Sequence, residues 1–146
     1  MNDDELRQTT SLQVHSDHES LTVVWQWLDE FTETRISSEI QWQCKLALTE
    51  GFNNVISHAH KSLPETTPID LELTIIPHHH IEMRIWDRGE CFNFQYKLHW
   101  ILRAGLTPID AENGRGLFLM YKLMDEVYYT RLEDQRNCLL LIKRLK

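Results

Sequence analysis

Apolar residues along this chain recur with two periods, and the period changes where turn residues fall. Leu12-Gln13-Val14-His15 alternates apolar and polar, which predicts a short edge strand. From Ser20 to about Thr34, the residues Val23, Val24, Trp27, Leu28 and Phe31 recur at helical spacing and predict a first helix. Ser37 or Ser38 is placed to cap a second helix reaching about Lys61, with an apolar stripe of Cys44, Ala47, Leu48, Phe52, Val55, Ile56 and Ala59. Pro64 and Pro68 bracket a loop, after which Leu71, Leu73 and Ile75 alternate with Glu72 and Thr74 in a half-buried strand from Ile69 to Ile76. A Pro-His turn leads into a second alternating run, Ile81, Met83 and Ile85. Between Glu90 and Asn113 the pattern blurs around a short helical stretch near Tyr96 to Arg103; a connection this long suits a lid. A last helix carries Leu117, Phe118, Leu119, Tyr121, Leu123 and Met124. Two strands, Glu126 to Leu132 and Cys138 to Leu145, close the chain around a polar turn at Glu133 to Asn137. No repeat or low-complexity tract interrupts this order, so one domain over residues 1–146 is expected.

The same periods place chemistry. Glu50 and Asn54 stand at i and i+4, on one helix face and at the border of the apolar stripe, so they look into a cleft edge. A carboxylate can take a proton from a hydroxyl or water, and an amide oxygen is a hard ligand of the kind Mg²⁺ accepts. In the other run, the period of two puts Asp87 on the apolar face of its strand, with Ile81, Met83 and Ile85. A carboxylate there is costly unless a ligand amine or the tight Asp87-Arg88-Gly89 turn satisfies it. Gly114-Arg115-Gly116 enters the last helix, where backbone N–H groups and the helix dipole favour an anion such as phosphate.

Composition narrows the class. With 146 residues, 42% apolar and 25% charged, the chain suits an ordinary globular domain that needs no staples. A net charge of −7 argues against nucleic-acid and anionic-membrane surfaces. There is no long apolar run, and the acidic start Met1-Asn2-Asp3-Asp4-Glu5 has no signal-peptide character. Cys44, Cys91 and Cys138 are odd in number and widely spaced, which suggests reduced thiols and a cytoplasmic location. His78, His79 and His80 read as a polar turn, since adjacent turn residues diverge and nothing is spaced to complete a tetrahedral metal site. His58 and His60 read as supporting residues rather than ligands.

A helix with Glu-x-x-x-Asn, a strand ending in Asp-x-Gly, a lid-length segment and Gly-x-Gly at a helix start, in that order, resemble the GHKL ATPase superfamily with its Bergerat nucleotide-binding fold. Glu50, Asn54 and His58-Ala59 match its first box, Asp87 and Gly89 its second, and Gly114, Gly116 and Leu117 its third. The run from Gly114 through Met124-Asp125-Glu126-Val127 is similar to the anti-sigma-factor serine/threonine kinases, the switch-kinase (RsbW-like) group. The resemblance implies an α+β fold: a two-layer sandwich, with a mostly antiparallel mixed sheet covered on one face by helices. It implies a nucleotide site from about residues 46–60, 85–91 and 112–119, under a lid over about 90–113. Asp87 would accept the adenine amine, Asn54 would coordinate Mg²⁺, and Glu50 would act as general base. Gly89, Gly114, Arg115, Gly116 and Leu117 would complete the ATP-binding set. The implied activity is ATP-dependent phosphorylation of a STAS-domain antagonist, with a sigma factor or other effector as second partner and a homodimeric state. The alternatives are a non-catalytic module that holds ATP and sequesters a partner, and the ATPase part of a histidine kinase. The chain departs from the family at Cys91 and Asn113, where glycines are common, and near Cys138, where a threonine often stands by the adenine.

Overall fold

The computed structural model describes residues 6–90 and 115–146. Among the described residues, five strands and three α-helices follow the periods of the sequence: β1 (Gln8–His15), α1 (Ser20–Thr32), α2 (Ser38–Asn54), β2 (Pro68–Ile76), β3 (His80–Asp87), α3 (Arg115–Leu123), β4 (Glu126–Arg131) and β5 (Asn137–Arg144). The sheet order is β1-β2-β3-β5-β4, so the first strand is an edge strand as expected. All four pairings among the described residues are antiparallel, leaving no parallel pair to make the sheet mixed. Strand alternation sends Ile69, Leu71, Leu73 and Ile75 of β2, Ile81, Met83 and Ile85 of β3, and Leu139 and Leu141 of β5 to one buried face. Helices α1 and α2 cover that face with Val24, Leu28, Cys44, Ala47, Leu48 and Phe52. The result is the expected two-layer α+β sandwich.

Local chemistry sets the helix boundaries. The Ser37 hydroxyl accepts the Ile40 N–H at 3.3 Å and starts α2. In α1, Val24, Leu28 and Thr32 are buried, whereas Val23 is 49% exposed and falls off the predicted stripe. One residue along a helix is a turn of about 100°, enough to carry Val23 past the edge of the sheet. The predicted second helix stays α-helical only to Asn54. Val55–Ala59 forms a π turn, closed by the His60 N–H donating to the Val55 carbonyl at 2.7 Å. Among the described residues, no helix is long and apolar enough to cross a membrane. The expected lid, Cys91, Asn113 and Gly114 lie outside the described residues, as does the Arg115 side chain.

Candidate active site

One end of the sheet and the C-terminal end of α2 form the candidate site. Gly51 lets them approach: a Cβ there would stand 2.8 Å from Leu139 Cδ2 and 2.9 Å from Ile85 Cδ1. With no side chain in the way, α2 lies close on β3 and β5. The π turn that follows is a common device at functional sites, because one extra residue per turn re-aims the side chains beyond it. Here it turns the Ala59 carbonyl onto Gly89, whose added Cβ would meet that oxygen at 2.1 Å. Gly89 is thus required by a backbone-on-backbone contact, and the residue after it leads toward the expected lid.

Asp87 ends the buried face of β3 and is only 2% exposed. Its Oδ1 accepts the Gly89 N–H at 3.0 Å and the Asn137 amide at 2.8 Å; its Oδ2 accepts the Tyr129 hydroxyl at 3.1 Å. The tight turn therefore satisfies only part of the carboxylate. Asn137 is the direct cross-strand partner of Asp87, fully buried, and also donates to the Gly89 carbonyl at 3.0 Å. Arg131 donates to the Gly89 carbonyl at 2.8 Å and to Asn137 Oδ1 at 3.3 Å. The residue beside Asp87 on the last strand is thus Asn137, rather than Cys138. Cys138 pairs with Trp86 and lies on the other face of the sheet, because strand side chains alternate. Burial raises the Cys138 thiol above its ordinary value, and pushes that of Cys44 up to about 12. Neither is a thiolate at neutral pH.

A small cavity of about 30 Å³ lies above Asp87, lined by Gly51, Asn54, Val55, His58, Ala59, Tyr129 and Leu139. Glu50 and Asn54 are both partly buried, as their place at the border of the apolar stripe predicts, and Asn54 lines the cavity on its α2 side. Glu50 also meets the third box. A Cβ on Gly116, in the first turn of α3, would fall 2.7 Å from Glu50 Oε2. The carboxylate therefore lies against the backbone at the entry of α3. Leu117 is buried in the core and fixes that helix. Of the sequence-predicted residues, Glu50, Asn54, Asp87, Gly89, Gly116 and Leu117 are brought to one end of the domain; Gly114 and the Arg115 side chain are not described.

Sequence reasoning passed over Asn137, Tyr129 and Arg131, and gave His60 only a generic supporting part. Asn137 carried the signal that revealed Asp87, a polar residue ending an alternating apolar face, here that of Leu139 and Leu141. His60 is 3% exposed, and its Nε2 accepts the Arg88 N–H at 2.8 Å. Its Nδ1–H then faces the Ser16 hydroxyl, which donates onward to the Thr67 carbonyl at 3.0 Å. The ring is held neutral. Burial lowers its pKa most, the nearby Asp87 carboxylate raises it, and the Arg88 guanidinium lowers it.

A helix-covered antiparallel sheet, with a buried carboxylate at its end facing a Glu-x-x-x-Asn helix, is the architecture of a GHKL-type domain. The chain belongs to the histidine kinase-like ATPase domain family, whose pattern matches residues 14–143. Within it, the chain is similar to serine-protein kinase RsbW. The Staphylococcus epidermidis protein is 37% identical over 86 residues, covering 57% of this chain and 54% of that one. The Bacillus licheniformis protein is 29% identical over 92 residues, covering 58% and 53%. The chain thus spans about half the length of the curated relatives it matches. Two solved structures share the fold at low identity. The RsbU and RsbW domains of a Mycobacterium tuberculosis protein superpose with a TM-score of 0.67 at 14% identity, over 94% of this chain and 32% of that one. The SiaB–SiaC complex of Pseudomonas aeruginosa gives a TM-score of 0.67 at 11% identity, over 91% and 88%.

Proposed function

We propose that this protein is an ATP-dependent protein serine/threonine kinase that works as a regulatory switch of the anti-sigma-factor type. One observation carries the reading: the Glu50 carboxylate lies against Gly116 while Asn54, one turn on, faces the cavity above Asp87. A proton acceptor, a hard oxygen ligand and a buried adenine-amine acceptor thus share one end of the domain. Asp87 would fix the base, and Gly114, Arg115 and Gly116, with Leu117 holding their helix, would hold phosphate oxygens. Asn54 would hold Mg²⁺, which when bound neutralises phosphate charge. Its partly buried amide, next to the carboxylate of Glu50, is a donor set that a hard cation suits. Glu50 would take the proton of a serine or threonine hydroxyl as its oxygen bonds to the γ-phosphorus. The bond to the β,γ-bridging oxygen then breaks, and ADP leaves with that electron pair.

The substrate we propose is a STAS-domain antagonist, with a sigma factor or other effector as second partner. Support comes from the RsbW relatives being serine-protein kinases, and from one fold neighbour having been solved as a two-protein complex. In this reading residues 1–146 form one ATPase domain with a lid over about 90–113, acting in the cytoplasm as a homodimer. The test is incubation with labelled ATP, Mg²⁺ and a candidate STAS protein. Label should pass to the STAS protein, and Glu50→Gln should cut transfer by about 10² or more while ATP affinity stays near normal. ATP binding without any transfer would leave a sequestering module in its place.

A further inference from the structure

Asp87 is already engaged in a way that bears on how a base could reach it. Its Oδ1 is held by the Gly89 N–H and the Asn137 amide, while its Oδ2, the oxygen left for an incoming amine, accepts the Tyr129 hydroxyl at 3.1 Å. An ionised carboxylate offers about four acceptor sites. Three are taken, and the Tyr129 side chain lines the space the fourth would face. That space is about 30 Å³, room for no more than a few waters. Ligand pockets usually measure roughly 300 Å³ or more. A purine therefore needs this space to widen, and Tyr129 is one of the side chains that line it.

Tyr129 is placed to move. It is half-buried on β4, an edge strand of the sheet among the described residues, and stands across from Leu139 of β5. A buried carboxylate that loses a donor is costly, so Asp87 holds the Tyr129 hydroxyl closed except in a minor open state, in which another donor can take its place. The exocyclic amine of adenine is such a donor. The exchange is one hydrogen bond for another, while Asn137 and Gly89 keep the carboxylate aimed. Resting on the reading of this cavity as the base site, we propose that Tyr129 is a gating residue for the nucleotide base. Its hydroxyl stands in for the adenine amine on Asp87, and it must swing off β4 before ATP is admitted.

A gate of this kind lowers apparent affinity by the fraction of molecules that are open. Removing the hydroxyl should raise that fraction by what one hydrogen bond is worth, about 2–10-fold. The experiment is calorimetric and stopped-flow titration of the full chain with Mg-ATP, in wild type, Tyr129→Phe and Tyr129→Val. Both variants should bind ATP more tightly, Tyr129→Phe by about 2–10-fold, with the gain in the association rate and the dissociation rate little changed. A merely structural role would not speed association. Equal or weaker binding in Tyr129→Phe, with wild type still binding ATP, overturns the gate and leaves the base site standing. Absence of ATP binding in all three proteins overturns the base site itself, and the gate with it. Tyr129→Phe keeps the ring and its packing, so the test survives if Tyr129→Val fails to fold.

Discussion

At the scale of single residues, the end of the sheet is built on a neutral histidine. His60 joins three parts of the chain: the Arg88 backbone beside Asp87, Ser16 after β1, and through Ser16 the Thr67 carbonyl before β2. A protonated ring would turn Nε2 into a donor facing the Arg88 N–H, and the clasp would open. Its folded pKa lies below the ordinary 6.5, so the unfolded chain takes up the proton first as pH falls. The stabilising contribution is therefore complete above about pH 6.5 and is lost as pH falls through the lower folded value. Glutamine can place an amide oxygen where Nε2 accepts and does not titrate. Thermal melts of His60→Gln should show a smaller loss of stability between pH 7.5 and 5.5 than the wild type. Parallel losses in the two proteins would show that acid acts elsewhere.

At the scale of elements, two helix ends are held by close approach. The α2 helix reaches the sheet because Gly51 has no side chain, and the π turn reaches β3 because Gly89 has none. The third approach, of α3 to α2, brings Gly116 onto Glu50. Gly116→Ala separates stability from chemistry there. Alanine is the better helix former by up to about 1 kcal/mol, so the melting temperature should hold or rise. The new methyl would overlap Glu50 Oε2 at 2.7 Å, and the flexible carboxylate must swing aside. Phosphoryl transfer should then fall by about 10²-fold, the scale of an ångström of misplacement, with a smaller change in ATP affinity. Unaltered transfer in this variant would mean that contact with α3 does not set the position of the carboxylate.

At the scale of the whole molecule, the proposed base site links ligand binding to folding through Asp87, because the carboxylate exists as a buried, oriented acceptor only in the folded sheet. A ligand that binds the native state alone adds about 2.7 kcal/mol at 100 times its dissociation constant. For a domain of this size that is roughly 5–10 °C in melting temperature. Mg-ATP at that excess should raise the wild-type melt by this amount. Asp87→Asn should melt near the wild type without nucleotide, since its amide oxygen can still accept from Gly89 and Asn137, but it should lose the Mg-ATP shift. A full shift in Asp87→Asn would remove this residue from the base site.

The sequence alone set out the elements and the three residues whose position follows from a period. Alternation in β3 put Asp87 on the buried face, and the 3.6-residue turn put Glu50 and Asn54 on one edge of α2; both are local rules that hold wherever the chain folds. It also ordered the three boxes along the chain, all of them within residues 14–143 that the family pattern matches. Tertiary structure alone decided what each of these residues touches. The placing of Asn137 against Asp87 follows from the β3–β5 register, a long-range pairing with no local signal. The Tyr129 hydroxyl on Asp87, the Gly116 backbone on Glu50 and the His60 clasp on Arg88 depend on an edge strand, a third helix and a π turn meeting at one end of the sheet. Periodicity tells a side chain which way to face; only packing between distant segments tells it which partner it will find there.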